Sequence, residues 1–130
     1  MYDILIKGGT VIDGTGAPGF VSDVAISSGK IVLLAKHIEE KAETVIDARG
    51  LCVAPGFIDT HSHSDLMLLE NPHLEEKVRQ GVTTEVLGQD GLGLAPLTFP
   101  GAKEILQEHL AGLLGTPEID WGWSSFAEYL

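Results

Sequence analysis

Apolar and polar positions along the first part of the chain come in short runs broken by turn residues. The segments "DILIKGG", "TVIDGTG", "DVAISSGKIVLLAK" and "ETVIDARGLCVAPG" each carry a few β-branched or aliphatic residues and then stop at Gly, Ser, Asp or Lys, the punctuation of short β-strands. The sharpest hairpin signal runs from Asp23 to Ala35, with Ser28-Gly29-Lys30 at its turn. Residues 1–54 therefore read as a small all-β unit.

After Pro55 the pattern becomes strand, helix, strand, helix, which predicts parallel βα units over residues 55–130. Phe57 to His61 is the first expected strand. Asn71 suits an N-cap, Pro72 the first helical position and Gly81 a C-terminal stop, with Leu74 and Val78 one turn apart, so a helix is expected from about Pro72 to Gln80. Val82 to Leu87 reads as the second strand, followed by the glycine-rich loop "GQDGLGLAP". A second helix is expected from Ala102 to Leu114, with Leu106, Leu110 and Leu113 on one face and Gly115 after its end. Ser125-Phe126-Ala127-Glu128 has the pattern of a capping box that opens a helix. The chain stops at Leu130, so the expectation is of a sequence cut off within an element.

Composition narrows the class. A chain of 130 residues with 44% hydrophobic and 21% charged content matches a globular protein with a core of its own. Eight basic against nineteen acidic side chains give a net charge of -11, which disfavours nucleic acid and anionic membrane as partners. No apolar run approaches the roughly 18 residues of a membrane span. The opening "MYDILIK" has neither the basic start nor the apolar stretch of a signal peptide. Cys52 is the only cysteine, so no disulfide forms within the chain and a reducing, cytoplasmic setting is expected. Flanked by Leu51, Val53 and Ala54, Cys52 reads as a small buried hydrophobe rather than a nucleophile or metal ligand.

Candidate chemistry concentrates in "PGFIDTHSHSD", residues 55–65. On an extended strand Phe57, Asp59, His61 and His63 share a face, with alternate residues roughly 6–7 Å apart. Two imidazoles at that spacing can tilt toward one metal ion, and neutral imidazole nitrogen suits zinc. The His-x-His pattern alone is weak. Its place at the C-terminal end of a strand in a parallel βα arrangement, where sites are built, strengthens it. Glu85, inside an expected strand, must either pair or face a polar layer. Asp65 either lines the mouth of a pocket or caps a turn. His37, His73 and His109 read as surface residues, and Trp121 and Trp123 as packing residues.

"APGFIDTHSHSD", preceded by a β-rich unit opening "DILIKGGTVIDGTG", resembles the start of the amidohydrolase superfamily. "VRQGVTTEVLGQDGLGLAPL" and "WGWSSFAEYL" are similar to its D-aminoacylase, or N-acyl-D-amino-acid deacylase, branch. The resemblance implies an α/β fold: a small N-terminal β-sandwich portion over residues 1–54, then the first βα units of a truncated metal-dependent (β/α)8, TIM-like barrel over residues 55–130. It implies His61 and His63 as metal ligands, Asp59 as an acid that orients a ligand from behind, and a divalent metal, zinc by preference. Asp59 also fits a structural acid bound to backbone or to a basic side chain. The branch often reads Gly-Asn-Cys-Gly, with a metal-binding cysteine, where this chain has Gly88-Gln89-Asp90-Gly91. Asp90 is therefore either a harder, anionic ligand or the cap of a turn.

The implied reaction is hydrolysis of an N-acyl-D-amino acid or related small amide by metal-activated water, with the general base expected beyond Leu130. A barrel takes about 250 residues, so the isolated chain is expected to be inactive and prone to association, and a homo-oligomer stays open. The alternatives are a dihydroorotase-like or hydantoinase-like cyclic amidase and a noncatalytic barrel homologue.

Overall fold

The computed structural model describes residues 1–130 and divides into two compact units, Met1–Pro55 and Gly56–Leu130. In the first, β1 (Tyr2–Val11), β2 (Phe20–Ser27), β3 (Lys30–Ala35), β4 (Ala42–Asp47) and β5 (Cys52–Val53) form one mixed sheet in the order β3-β2-β1-β4. β4 and then β5 run parallel to β1 along one edge, while β2 lies antiparallel on the other.

β1 joins two segments that the pattern of turn residues separates. The strand bends instead of ending: its register with β2 shifts between Ile6 and Gly9, and Gly8 takes a φ of 69°. Side chains there would collide with the opposite corner, since a Cβ on Gly8 would lie 2.7 Å from Arg49 Cγ and one on Gly9 2.5 Å from Val53 Cγ2. The hairpin forms as expected. Ser27 pairs with Lys30 and leaves Ser28 and Gly29 with φ of 52° and 71°, the paired left-handed conformations of a type I′ turn, whose twist matches the flanking strands.

Leu5, Ala25 and Ile38 form the buried centre of this unit, with Tyr2, Ala35 and Ala42 against it. Asp23 is buried at 3% exposure. Its two oxygens accept the main-chain N–H of Gly8 at 2.8 Å and of Ile38 at 3.0 Å. Burial works to raise the Asp23 pKa, but the Ile38 and Gly8 amides, with the Lys7 and His37 charges, outweigh it and hold the carboxyl below its ordinary value. Cys52 is exposed, against the expectation of a buried hydrophobe. In the two-residue β5 the side chains alternate, and it is Val53 that turns inward against Gly9.

In the second unit β6 (Phe57–Asp59) pairs parallel with β7 (Val82–Glu85). Their close approach depends on Gly56, where a Cβ would overlap the Thr83 side chain. The Asp59–Glu85 register sets the two acids side by side at the C-terminal ends of the strands. Both strands are shorter than expected. β6 stops before His61 because the His61 amide turns back to Asp59 Oδ1 at 3.2 Å, and β7 stops at Glu85, ahead of the left-handed Gly88 with φ 71°.

The segment between them holds α1 (Asp65–Glu70), which sequence pattern did not reveal, and α2 (Glu75–Val78), a single turn in place of the expected longer helix. Asn71 is the C-cap of α1, its main-chain N–H donating to Met67 O at 2.7 Å, and it lies four residues ahead of α2, whose N-cap position is Leu74. Leu74, at φ 37°, then blocks any earlier start for α2. α3 (Ala102–Leu114) has the expected bounds, yet Leu114 is buried and Leu113 is 52% exposed. The row that packs is Ala102, Leu110 and Leu114, spaced by multiples of four residues. Leu66, Leu94, Leu114, Trp121 and Trp123 form the core, with the two indoles stacked at 5.1 Å and Trp123 Nε1 donating to Leu94 O at 2.8 Å. α4 (Phe126–Tyr129) opens with both bonds of the capping box at Ser125 and Glu128. No helix is long and apolar enough to cross a membrane.

Candidate metal centre

The turn after β6 and the loop after β7 bring His61, His63 and Asp90 together. His61 Nε2 lies 3.0 Å from Asp90 Oδ2 and His63 Nε2 lies 3.3 Å from the same oxygen. One donor atom from each residue falls within 4.8 Å of the other two. The imidazoles meet edge to face, with centroids 5.4 Å apart and planes at 75°. Donors bound tetrahedrally to one ion at about 2.0 Å lie roughly 3.3 Å from each other, which is the scale of both nitrogen-to-oxygen distances. Two imidazole nitrogens and one carboxylate oxygen form a donor set suited to zinc and to harder divalent ions. The site is open, with the side chains of His61 and Asp90 59% and 58% exposed and that of His63 22%. His63 Nδ1 is buried without a hydrogen-bond partner.

Local backbone aims each group. Asp90 sits in a single 3-10 turn, Gln89–Gly91, with left-handed φ of 57° between Gly88 at 71° and Gly91 at 75°. Aspartate tolerates that conformation and the flanking glycines adopt it freely. The loop is tied down by Asp65, 2% exposed, whose Oδ1 accepts the Gly88 N–H at 2.9 Å. Asp65 lines a cavity with Glu85, Gly88 and Tyr129 and does not cap the turn that follows it. It is an anchor in the first turn of α1, beneath the loop that carries Asp90.

Behind the histidines lies a polar cluster. Lys77 Nζ stands 2.7 Å from both Asp59 Oδ2 and Glu85 Oε1 and donates to Ser62 Oγ at 3.2 Å. Ser62 and Ser64 donate to Glu85 Oε1 at 3.0 and 3.3 Å. Of the two courses open to a strand acid, pairing or a polar layer, Glu85 takes the first and also accepts from the serine hydroxyls. The contacts of Asp59 are those of the structural acid: it accepts the His61 main-chain N–H and binds a basic side chain. It does not touch an imidazole. The Lys77 ammonium, then the His61 amide, hold the Asp59 carboxyl below its usual range, and Asp59 followed by Glu85 raises the Lys77 pKa.

Lys77 is the residue that sequence reasoning missed. The signal was indirect, a strand glutamate in need of a partner or a polar layer. His37, His73 and His109 are exposed, as expected. His37 lies 3.8 Å from Asp23, and the ring Nδ1 of His109 is 2.9 Å from Ile105 O. Trp121 and Trp123 pack in the core.

The Amidohydrolase family model matches residues 44–127. The chain belongs to that family. N-acyl-D-aspartate deacylase of Alcaligenes xylosoxydans xylosoxydans is 44% identical over 128 residues, covering 98% of this chain and 24% of its own length. The crystal structure of N-acyl-D-glutamate deacylase from Bordetella bronchiseptica, complexed with zinc and a phosphonate inhibitor, is 45% identical, with a TM-score of 0.73 over 77% of this chain and 21% of that one. D-aminoacylase, for which a binuclear metal center is described, is 38% identical, with a TM-score of 0.80 over 100% of this chain and 26% of its own. The chain spans about a quarter of the length of the curated deacylase it matches.

Proposed function

We propose that this chain is the N-terminal part of a metal-dependent amide hydrolase that deacylates N-acyl-D-amino acids, and that His61, His63 and Asp90 are metal ligands. The observation that carries this reading is the convergence of both Nε2 atoms on one Asp90 oxygen at the C-terminal ends of two parallel strands. The similarity to deacylases of D-amino-acid derivatives supports the substrate class. In this proposal residues 1–54 are a β-sandwich portion and residues 55–130 begin a (β/α)8 barrel, with β6 and β7 as its first strands. Phe57 and Ile58, on opposite faces of β6, are 67% and 63% exposed. Apolar side chains on both faces suit a parallel strand covered on both sides.

Hydrolysis breaks the amide C–N bond: the carbonyl carbon gains a hydroxyl from water and the nitrogen gains a proton, leaving a carboxylate and a free D-amino acid. A divalent metal, when bound, brings the pKa of a water to near ~7 and polarises the carbonyl. His61 and His63 supply neutral nitrogen donors and Asp90 a negative one. Asp59 sets the angle at which the His61 backbone leaves β6. The general base and the grip on the substrate carboxylate belong, in this proposal, to strands later in the parent than those of this chain.

The test is an assay of the full-length parent on N-acetyl-D-amino acids, their L forms and cyclic ureides. Turnover confined to the D forms is expected, and turnover of ureides alone would replace the reading by a hydantoinase-like one. An extensively dialysed parent that holds no divalent ion would count against both and favour a noncatalytic homologue. The 130-residue chain alone is expected to show no turnover.

A further inference from the structure

We infer that Lys77 is a positioning residue for the metal centre, bracing both imidazole ligands from behind through one ammonium group. The inference rests on the ligand assignment proposed above. An ammonium carries three N–H donors, and three oxygens stand around this one: Asp59 Oδ2 at 2.7 Å, Glu85 Oε1 at 2.7 Å and Ser62 Oγ at 3.2 Å. Each oxygen leads to a ligand. Asp59 holds the His61 main-chain N–H through its other oxygen. Ser62 lies between the two histidines in sequence and is 5% exposed. Glu85 accepts from the hydroxyls of Ser62 and Ser64, the two residues that flank His63.

The arrangement differs from an ordinary surface ion pair. The side chains of Lys77, Asp59 and Glu85 are 26%, 28% and 11% exposed, so solvent screens them less than an exposed pair. Arg79, two residues on, supplies the contrast, pairing with Glu75 at 2.8 Å with side chains 78% and 66% exposed. Lys77 projects from the single turn of α2, while the groups it joins sit at the ends of β6 and β7 and in the turn between His61 and His63. Without the ammonium, Asp59 and Glu85 face one another as like charges across the parallel pair, and the segment that aims both rings loses its common anchor.

The experiment measures zinc affinity of the full-length parent by competition with a chromophoric chelator, alongside the melting temperature of the metal-free protein. Lys77→Met is expected to weaken zinc binding by about 10–100-fold, the range for groups that orient metal ligands. Lys77→Arg keeps the charge but spreads its donors over a planar fork that does not match three oxygens around one point, and is expected to fall between the wild type and Lys77→Met. Arg79→Met is expected to bind zinc like the wild type. Zinc affinity within about twofold of the wild type in both Lys77 variants would overturn the inference, whatever happens to the melting temperature; should Lys77→Met not fold, Lys77→Arg decides alone. A wild type that takes up no zinc overturns the ligand assignment and this inference together, whereas a wild type that binds zinc no better than its Lys77 variants overturns the inference only.

Discussion

The two units each organise a key aspartate, and they do so in opposite ways. Asp23 is buried and satisfied by main-chain donors, the N–H groups of Gly8 and Ile38. Asp90 is exposed and meets only the imidazoles of His61 and His63. Amide donors are permanent, so the first arrangement is complete within the fold. Imidazole nitrogens are ligands as readily as donors, so the second arrangement is one that a cation can enter. Burial with backbone partners marks Asp23 as a structural acid, and exposure among side-chain nitrogens leaves Asp90 free for the ligand role proposed for it.

That contrast can be broken by experiment. The largest expected effect is on the site: His61→Ala or His63→Ala in the full-length parent should lower zinc affinity by more than about 100-fold, beyond the range for groups that merely orient a ligand, with little change in the metal-free melting temperature. Isothermal titration with zinc and thermal melts of the same samples check both halves. Asp23→Ala should do the reverse, costing about 1–3 kcal/mol for each donor left without its partner while zinc affinity is retained; chemical denaturation and zinc titration compare the two. If Asp23→Ala abolishes zinc binding, or if His61→Ala unfolds the protein, the division between structural acid and site acid fails.

Gly56→Ala sharpens the comparison, because it strains the frame of the site without touching a ligand. Its Cβ would overlap Thr83 between β6 and β7, an overpacking cost of about 1–3 kcal/mol, and both stability and zinc affinity should fall. Equal zinc affinity in a destabilised variant would show that strand spacing does not set the ligand geometry. The smallest effect concerns Glu128, whose carboxylate is held down to about 2 by the main-chain N–H groups of Ser124 and Ser125 and then by their hydroxyls. A depressed folded-state pKa stabilises above the ordinary value of 4.5 and that contribution is lost as the pH falls toward about 2. Carboxyl NMR titration should place the Glu128 midpoint near the lower figure, and a midpoint at the ordinary value would mean that the cap does not persist in solution.

Much of the local structure was legible along the chain. Ser28-Gly29 announced its hairpin, Gly115 and the leucine spacing bounded α3, and Ser125 with Glu128 announced α4, because each signal acts between neighbours within one turn. Local signals misled where neighbours competed. Asn71 could cap the helix after it or close the one before it, and α1 claimed it. His61 could continue β6, but its amide found the Asp59 carboxylate two residues away.

The site was legible only in its ingredients. His61-Ser62-His63 offered two nitrogens, the loop offered an aspartate in a glycine setting, and Glu85 needed a partner or a polar layer. Which groups meet is another matter. His61 meets Asp90 across 29 residues, Glu85 meets Ser62 across 23, Lys77 meets Asp59 across 18 and Asp65 holds Gly88 across 23. Residue types and short-range spacing are written in order along the chain, because backbone torsions and hydrogen bonds within a turn answer to adjacent residues. The pairing of β6 with β7 brings the ends of two strands together, and that long-range closure, rather than any motif, chose Lys77 as the cation and one oxygen of Asp90 as the meeting point.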